Sequence, residues 1–326
     1  MLYQEPPKIC PVCLEESSFR FIRNYQSKEG RFFLYECSKC NVQFWLPFRN
    51  PGANWYENQE KYRVQIPKIY RGYHKRFLKL NPTFPRNIKV LDLGCGTGEF
   101  IAELEKRGCE VWGVDSDKVD IETAKQRFGL KNLYAMLFDD FFKKINLLQF
   151  NIITSFEVIE HLDDPLNFIY EIKKLLKPNG KVVLSTPSRE RIMANAYEWD
   201  FPLHHLTRWN EKAIKKLLQK AGFKVISVNY VDQFRHLFEL FAGKIRMNLL
   251  NKTGRALRMD KKNVGRREDN NKFKGDMKRV FIKLIHTGGY LKDYIFAGIP
   301  AGFFWLMSKI LRINNGVMVI ELKLKK

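Results

Sequence analysis

Cys10-Pro-Val-Cys13 and Cys37-Ser-Lys-Cys40 are two C-x-x-C pairs separated by 23 residues. Two such pairs facing each other bring four thiolates to tetrahedral spacing, the donor set of a structural Zn2+ site held by Cys10, Cys13, Cys37 and Cys40. All four positions are closed by sulfur, so no zinc chemistry is assigned. A second set of residues has the spacing to cradle a nucleotide. VLDLGCGTGEF, residues 90–100, passes from an apolar stretch into glycines at alternate positions, Gly94, Gly96 and Gly98. Glycines there let the backbone run close to a ligand and leave amide groups aimed at it. The dinucleotide pattern G-x-G-x-x-G needs glycine where this chain has Glu99, which counts against a nicotinamide cofactor. Asp115 stands 21 residues beyond Gly94 and suits the two hydroxyls of a ribose. The third chemistry is proton transfer, for which histidine is the usual group near neutral pH. The chain has six, His74, His161, His204, His205, His236 and His286, and the adjacent pair lies in WDFPLHHLTRW, residues 199–209.

The elements that must position these residues alternate between strand and helix from 88 to 231. IKVLDLG is a short buried run, followed by a helix with Phe100, Ile101 and Leu104 on one face and stopped by Gly108. EVWGVD and QFNIITSF are further strands. Asp164-Pro165 is an N-cap and first-turn pair that opens a helix carrying Ile169, Ile172, Leu175 and Leu176. Asn179-Gly180 turns the chain into KVVLSTP, and EKAIKKLLQKAGF is a helix before the strand KVISVNYV. Strands separated by helices of this length predict an α/β fold, a doubly wound and mostly parallel sheet covered on both faces. GVMVIELKLKK alternates like a strand and is placed back in that sheet. The expected organisation is a zinc ribbon over 1–45, a proline-punctuated aromatic connector over 46–86, a core over 87–231 and 316–326, and a helical insertion over 232–315. A unit as small as 1–45 buries too little apolar surface to hold itself together, so metal would supply its folding energy.

Composition excludes some classes. With 326 residues, 45% hydrophobic and 28% charged, the chain is neither disordered nor collagen-like. The N-terminus has no apolar region of signal-peptide type, and the longest uncharged run, residues 294–308, is too short to suggest a spanning helix. The cysteines are therefore expected as thiols or metal ligands in a cytoplasmic protein. The net charge of +22 is unevenly spread: 87–231 has 21 Lys and Arg against 20 Asp and Glu, whereas 232–315 has 18 against 7. Residues 1–86 are also basic, 15 against 7. A neutral core with basic flanks faces an anionic partner, nucleic acid or a membrane surface.

LDLGCGTGEF, the acid in GVDSD, SFEVIEHLDDP and LKPNGKVVLSTP together resemble the class I S-adenosylmethionine-dependent methyltransferases over about 88–231. That resemblance implies a Rossmann-like core binding S-adenosyl-L-methionine. It places Asp92, Gly94, Gly96 and Gly98 around the methionine moiety, Asp115 on the ribose and Asp139 near the adenine. Phe156 and Glu157 would line the cofactor side of the fourth strand. Cys95, a small packing residue, and Ser116 lie beside these positions and belong to the same set. The P-x-H-H-x-x-R-W segment resembles that of a bacterial subgroup of these enzymes with an N-terminal cysteine ribbon. By that resemblance His204 and His205 face the acceptor and Arg208 fixes an anionic or carbonyl group; His161 is a second candidate base, or orients the helix that follows it.

Two acceptor classes remain open. One is a small molecule or lipid-linked compound of glycan or isoprenoid type, with peripheral attachment to the inner face of the cytoplasmic membrane through basic amphipathic helices around Phe234–Ile245 and Met277–Ile285 and the aromatic run Phe303, Phe304, Trp305. The other is RNA, because a zinc ribbon ahead of this core also resembles the ribosomal RNA guanine methyltransferases and the charge suits phosphate contacts. SFEVIEHL differs from the N/D-P-P-Y/W segment of adenine amino methyltransferases, and no Pro-Cys nucleophile follows the fourth strand, which favours the first class. The accepting atom and the oligomeric state stay open.

Overall fold

In the computed structural model the described residues are 5–52, 55, 71–145, 148–191, 194–196, 200–231, 234, 238, 298–310 and 316–325. Chain contacts define two units, residues 1–232 with 315–326, and residues 233–314. The first holds two sheets. Strands β1 (Phe19–Gln26), β2 (Arg31–Cys37) and β3 (Gln43–Leu46) form an antiparallel meander joined at its edge by β9 (Thr207–Arg208). The larger sheet has the order β10-β11-β8-β7-β4-β5-β6. Its strands are β4 (Lys89–Leu93), β5 (Glu110–Asp115), β6 (Leu133–Ala135), β7 (Phe150–Phe156), β8 (Leu176–Pro187), β10 (Phe223–Val231) and β11 (Val317–Leu324). β4 through β8 pair in parallel, and β11 lies antiparallel between β8 and β10. The chain's last strand thus returns to the sheet, and the strand order reverses direction between β4 and β7. In open parallel sheets that reversal is where ligands bind, beyond the carboxyl ends of the strands.

Alternation along each strand sends side chains to two cores. Val90, Ile152, Val183, Val317 and Val319 pack with α1 (Gly72–Leu80), α2 (Glu99–Lys106) and α3 (Lys118–Phe128) on one face. Leu91, Ile153, Val182, Leu184, Met318 and Ile320 pack on the other with α4 (Phe138–Lys144), α5 (Pro165–Leu175) and α6 (Glu211–Lys220). Asp164 caps α5 by accepting the Asn167 N–H at 3.0 Å, with Pro165 in the first turn, as its residue types require. Asn179-Gly180 does not end one element and begin another. β8 starts at Leu176, which pairs with Phe150, and the next parallel pair is Ile152 with Lys181, so residues 177–180 bulge out of the ladder.

In the second unit, α7 (Gly298–Ile310) is helical through Pro300, which falls in the first turn, where no backbone donor is lost. Phe234 and Phe238 stack at a centroid distance of 6.4 Å. The rest of the two amphipathic segments expected over 232–285 lies outside the described residues.

Candidate active site

β4 delivers the chain into the glycine loop at the strand-order reversal. Gly94 sits at φ 84° and Gly98 at φ 77°, a conformation that other residues rarely adopt. A Cβ on Gly94 would lie 2.4 Å from Val158 Cγ2, and one on Gly98 would lie 2.7 Å from Ala124 Cβ. Backbone angle and packing therefore both demand glycine at these two positions. Asp115, at the end of β5, braces the loop. Its Oδ2 accepts the Gly96 N–H at 2.9 Å and its Oδ1 accepts the Asp117 N–H at 2.9 Å.

A cleft opens over this loop. Asp92, Gly94, Cys95, Gly96 and Phe156 line it, as do Thr97, Glu99 and Phe100. Asp92 is 3% exposed and accepts the Thr154 hydroxyl at 2.7 Å. Burial, with the charge of Asp115 adding to it, pushes the Asp92 carboxyl up to about 7. Gly98 caps the start of α2 behind the loop. Ser116, Asp139 and Glu157 are not among the residues that wall the cleft. Asp139 is exposed in the first turn of α4, and Glu157, at φ 58°, accepts the Ser185 hydroxyl at 2.9 Å.

The connector supplies walls that sequence reasoning missed. Arg71, Tyr73 and His74, at the start of α1, line the same cleft. Tyr73 stacks on Phe156 at 5.1 Å, and His74 stacks on Phe100 at 4.5 Å with the ring planes 8° apart. The signal was present in the aromatic and basic run YRGYHKRF, but periodicity does not say which face an amphipathic helix turns to a ligand.

Farther along the carboxyl edge, the 3-10 turn Ile159–His161 after β7 and the segment after β8 build an ionic cluster. Asp200 Oδ1 lies 2.6 Å from Arg191 Nη2 and 3.4 Å from His205 Nδ1, and Oδ2 lies 3.7 Å from Arg208 Nη2. Burial pushes the Asp200 carboxyl up, but Arg191, His205 and Arg208 outweigh it and hold the group below the usual carboxylate range. Burial lowers Arg208 to about 10 against the attraction of Asp200. Glu160 is 1% exposed, and burial, with the charge of Glu157 adding to it, raises its carboxyl well above the usual value. His161 Nδ1 is 2.6 Å from the His204 carbonyl oxygen. A carbonyl only accepts, so Nδ1 carries the proton and Nε2 has the lone pair. Burial and the neighbouring His205 lower His161 to about 3. The His161 and His205 rings meet edge to face at 4.9 Å, and the half-buried His204 ring meets Trp55 at 4.9 Å.

His161, His204, His205 and Arg208 thus come together, but not as four groups on an open wall. His205 is 8% and Arg208 7% exposed, and both turn onto Asp200. Asp200 and Arg191 were not singled out from the sequence. A buried carboxylate among cations is visible only when the loop folds back.

The four ribbon sulfurs converge. Cys10 and Cys40 Sγ are 3.9 Å apart, Cys13 and Cys37 Sγ are 4.0 Å apart, and all four lie within 4.8 Å of one another. A tetrahedral zinc with Zn–S near 2.3 Å places its sulfurs about 3.8 Å apart. The thiols therefore fit that ion. The ribbon is also joined to the ionic cluster: β3 pairs with β9 through Gln43–Arg208 and Phe44–Thr207. Arg189 pairs with Glu36 at 2.8 Å and donates to the Asn41 carbonyl at 2.6 Å.

Residues 62–228 match a family model described as a methyltransferase domain. The chain is similar to the ubiquinone biosynthesis O-methyltransferase of Pelagibacter ubique, 36% identical over 150 residues, which is 43% of this chain and 62% of that protein. It is also similar to the mitochondrial ubiquinone biosynthesis O-methyltransferase of Schizosaccharomyces pombe, 33% identical over 105 residues, 31% of this chain and 38% of the relative. The chain spans about half the length of the curated relatives it matches. Among solved structures, the [4+2]-cyclase SpnF aligns with a TM-score of 0.52 at 14% identity, over 85% of this chain and 98% of that one, a likeness of fold alone. With the glycine loop, the braced acid and the strand order all in place, this chain belongs to the class I S-adenosylmethionine-dependent methyltransferases.

Proposed function

We propose that the protein transfers a methyl group from S-adenosylmethionine to a small-molecule or lipid-linked acceptor of glycan or isoprenoid type, in the cytoplasm. The observation that carries this reading is the cleft over the glycine loop, walled by Asp92, Arg71 and the ring pairs Tyr73–Phe156 and His74–Phe100. S-adenosylmethionine supplies an electrophilic methyl group on a sulfonium, so the protein's task is alignment and, for a hydroxyl acceptor, removal of its proton. Asp92 offers a carboxylate to an ammonium, Arg71 a guanidinium to a carboxylate, and Asp115 a carboxylate to a ribose. The stacked rings exclude water from the apolar side of the cleft.

The names of the relatives support an oxygen acceptor on a lipid-linked ring. We assign His204 as the base. His161 holds the His204 backbone through its carbonyl, and His205 with Arg208 positions the same loop by locking onto Asp200. The ribbon is proposed to hold one structural Zn2+ that keeps β3 in place beside β9. Incubation of a cell extract with the purified protein and methyl-labelled S-adenosylmethionine tests the reading. Label in the organic-soluble lipid or small-molecule fraction is expected, whereas label confined to RNA would overturn it.

A further inference from the structure

α7 displays an apolar stripe that no catalytic argument uses. Ile299 is 70%, Phe303 59%, Leu306 52% and Ile310 64% exposed. Their spacing of four, three and four residues puts all four within one narrow face of the helix. Ala301, on the opposite face, is fully buried, so the stripe is the exposed side of the helix. Trp305, 39% exposed, lies off the stripe, toward the Ala301 side of the helix. At about 1.5 Å per residue the helix is about 20 Å long, and among the described residues no helix is long and apolar enough to cross a membrane. An outward row of four large apolar side chains is unfavourable in water and marks an interaction surface.

The charge of the surrounding sequence selects the occupant. Residues 232–315 carry 18 Lys and Arg against 7 Asp and Glu, while the core over 87–231 is balanced at 21 against 20. An apolar helix face set in a strongly cationic segment matches an anionic lipid surface, where the face enters the headgroup layer and the cations meet lipid phosphates. We propose that α7 is an interfacial anchor that lays Ile299, Phe303, Leu306 and Ile310 into the surface of an anionic membrane. This anchor stands independently of the assignment of the cleft.

The experiment is flotation of the full chain with phosphatidylcholine vesicles, with or without phosphatidylglycerol, at low and high salt. Phe303→Ser/Leu306→Ser is compared with wild type, and quenching of tryptophan fluorescence by lipids brominated in the acyl chain reports insertion. Both substituted side chains are more than half exposed, so the fold is expected to persist, which unchanged S-adenosylmethionine affinity verifies. Wild type is expected to float with anionic vesicles at low salt and to show quenching. The variant's bound fraction is expected to fall at least tenfold. Wild type that stays unbound overturns the proposal, as does a variant that floats equally well. A wild-type dimer that the substitutions disperse, with no flotation, also overturns it and assigns the stripe to self-association. Because the readout is binding, its failure leaves the methyl-transfer reading untouched.

Discussion

Asp92 allows a quantitative test of the cleft. Its carboxyl is 3% exposed, accepts one hydroxyl hydrogen bond and is pushed up to about 7 by burial and by Asp115. In the free protein near pH 7 it is therefore about half protonated. A ligand bearing an ammonium and a sulfonium favours the carboxylate, so binding should expel the proton. At pH 6 about one tenth of Asp92 is ionised and at pH 8 about nine tenths. Affinity for S-adenosylmethionine should then rise about tenfold between them, about 1.4 kcal/mol. The sign agrees with stability: a carboxyl raised in the folded state stabilises most below its unfolded value of about 3.9, a contribution lost as pH rises through 7. The assay is titration calorimetry at pH 6, 7 and 8 in buffers of different ionisation enthalpy, for wild type and Asp92→Asn. The ligand's own titration is common to both proteins, so the difference between their pH profiles isolates Asp92. Equal profiles, or no proton released by wild type at pH 6, would refute the reasoning.

Gly94→Ala sets a Cβ against Val158 at a left-handed backbone position and should cost about 2 kcal/mol or more of stability, read by denaturant unfolding, together with cofactor affinity. Elemental analysis should find one equivalent of zinc in wild type and none in Cys13→Ser. Turnover should fall through the β3–β9 pairing while S-adenosylmethionine affinity stays near wild type. His204→Ala should lower turnover by about 10²–10⁴-fold without weakening cofactor binding, and a variant with wild-type turnover would remove His204 as the base. Asp200→Asn leaves Arg191 and Arg208 buried without their counter-charge and should destabilise by about 3–5 kcal/mol. Because the Asp200 carboxyl is held below its unfolded value, its stabilisation is present above about pH 4 and is lost on acidification, so the variant's deficit should shrink at low pH.

Local chemistry made much of this protein legible before any fold was drawn. Alternate glycines between an apolar run and a helix, an acid at the end of the next run, two C-x-x-C pairs, and Asp164-Pro165 ahead of an amphipathic stretch each draw their meaning from neighbours a few residues away. Gly94, Asp115, the four cysteines and the α5 cap accordingly stand where those patterns put them. The alternation of Val317 to Leu324 also showed that the last strand belongs to the sheet. Its antiparallel place between β8 and β10 depends on pairing over long sequence separation. What only tertiary structure decided is which distant residues share a wall. Arg71, Tyr73 and His74 reach the cleft because α1 packs against Phe100 and Phe156. His205 and Arg208 turn inward because Asp200 and Arg191 leave them a buried ionic partner, and because β9 completes the ribbon's sheet. Burial and charge pairing are properties of the closed core, so the roles of titratable side chains emerge only when the chain has folded.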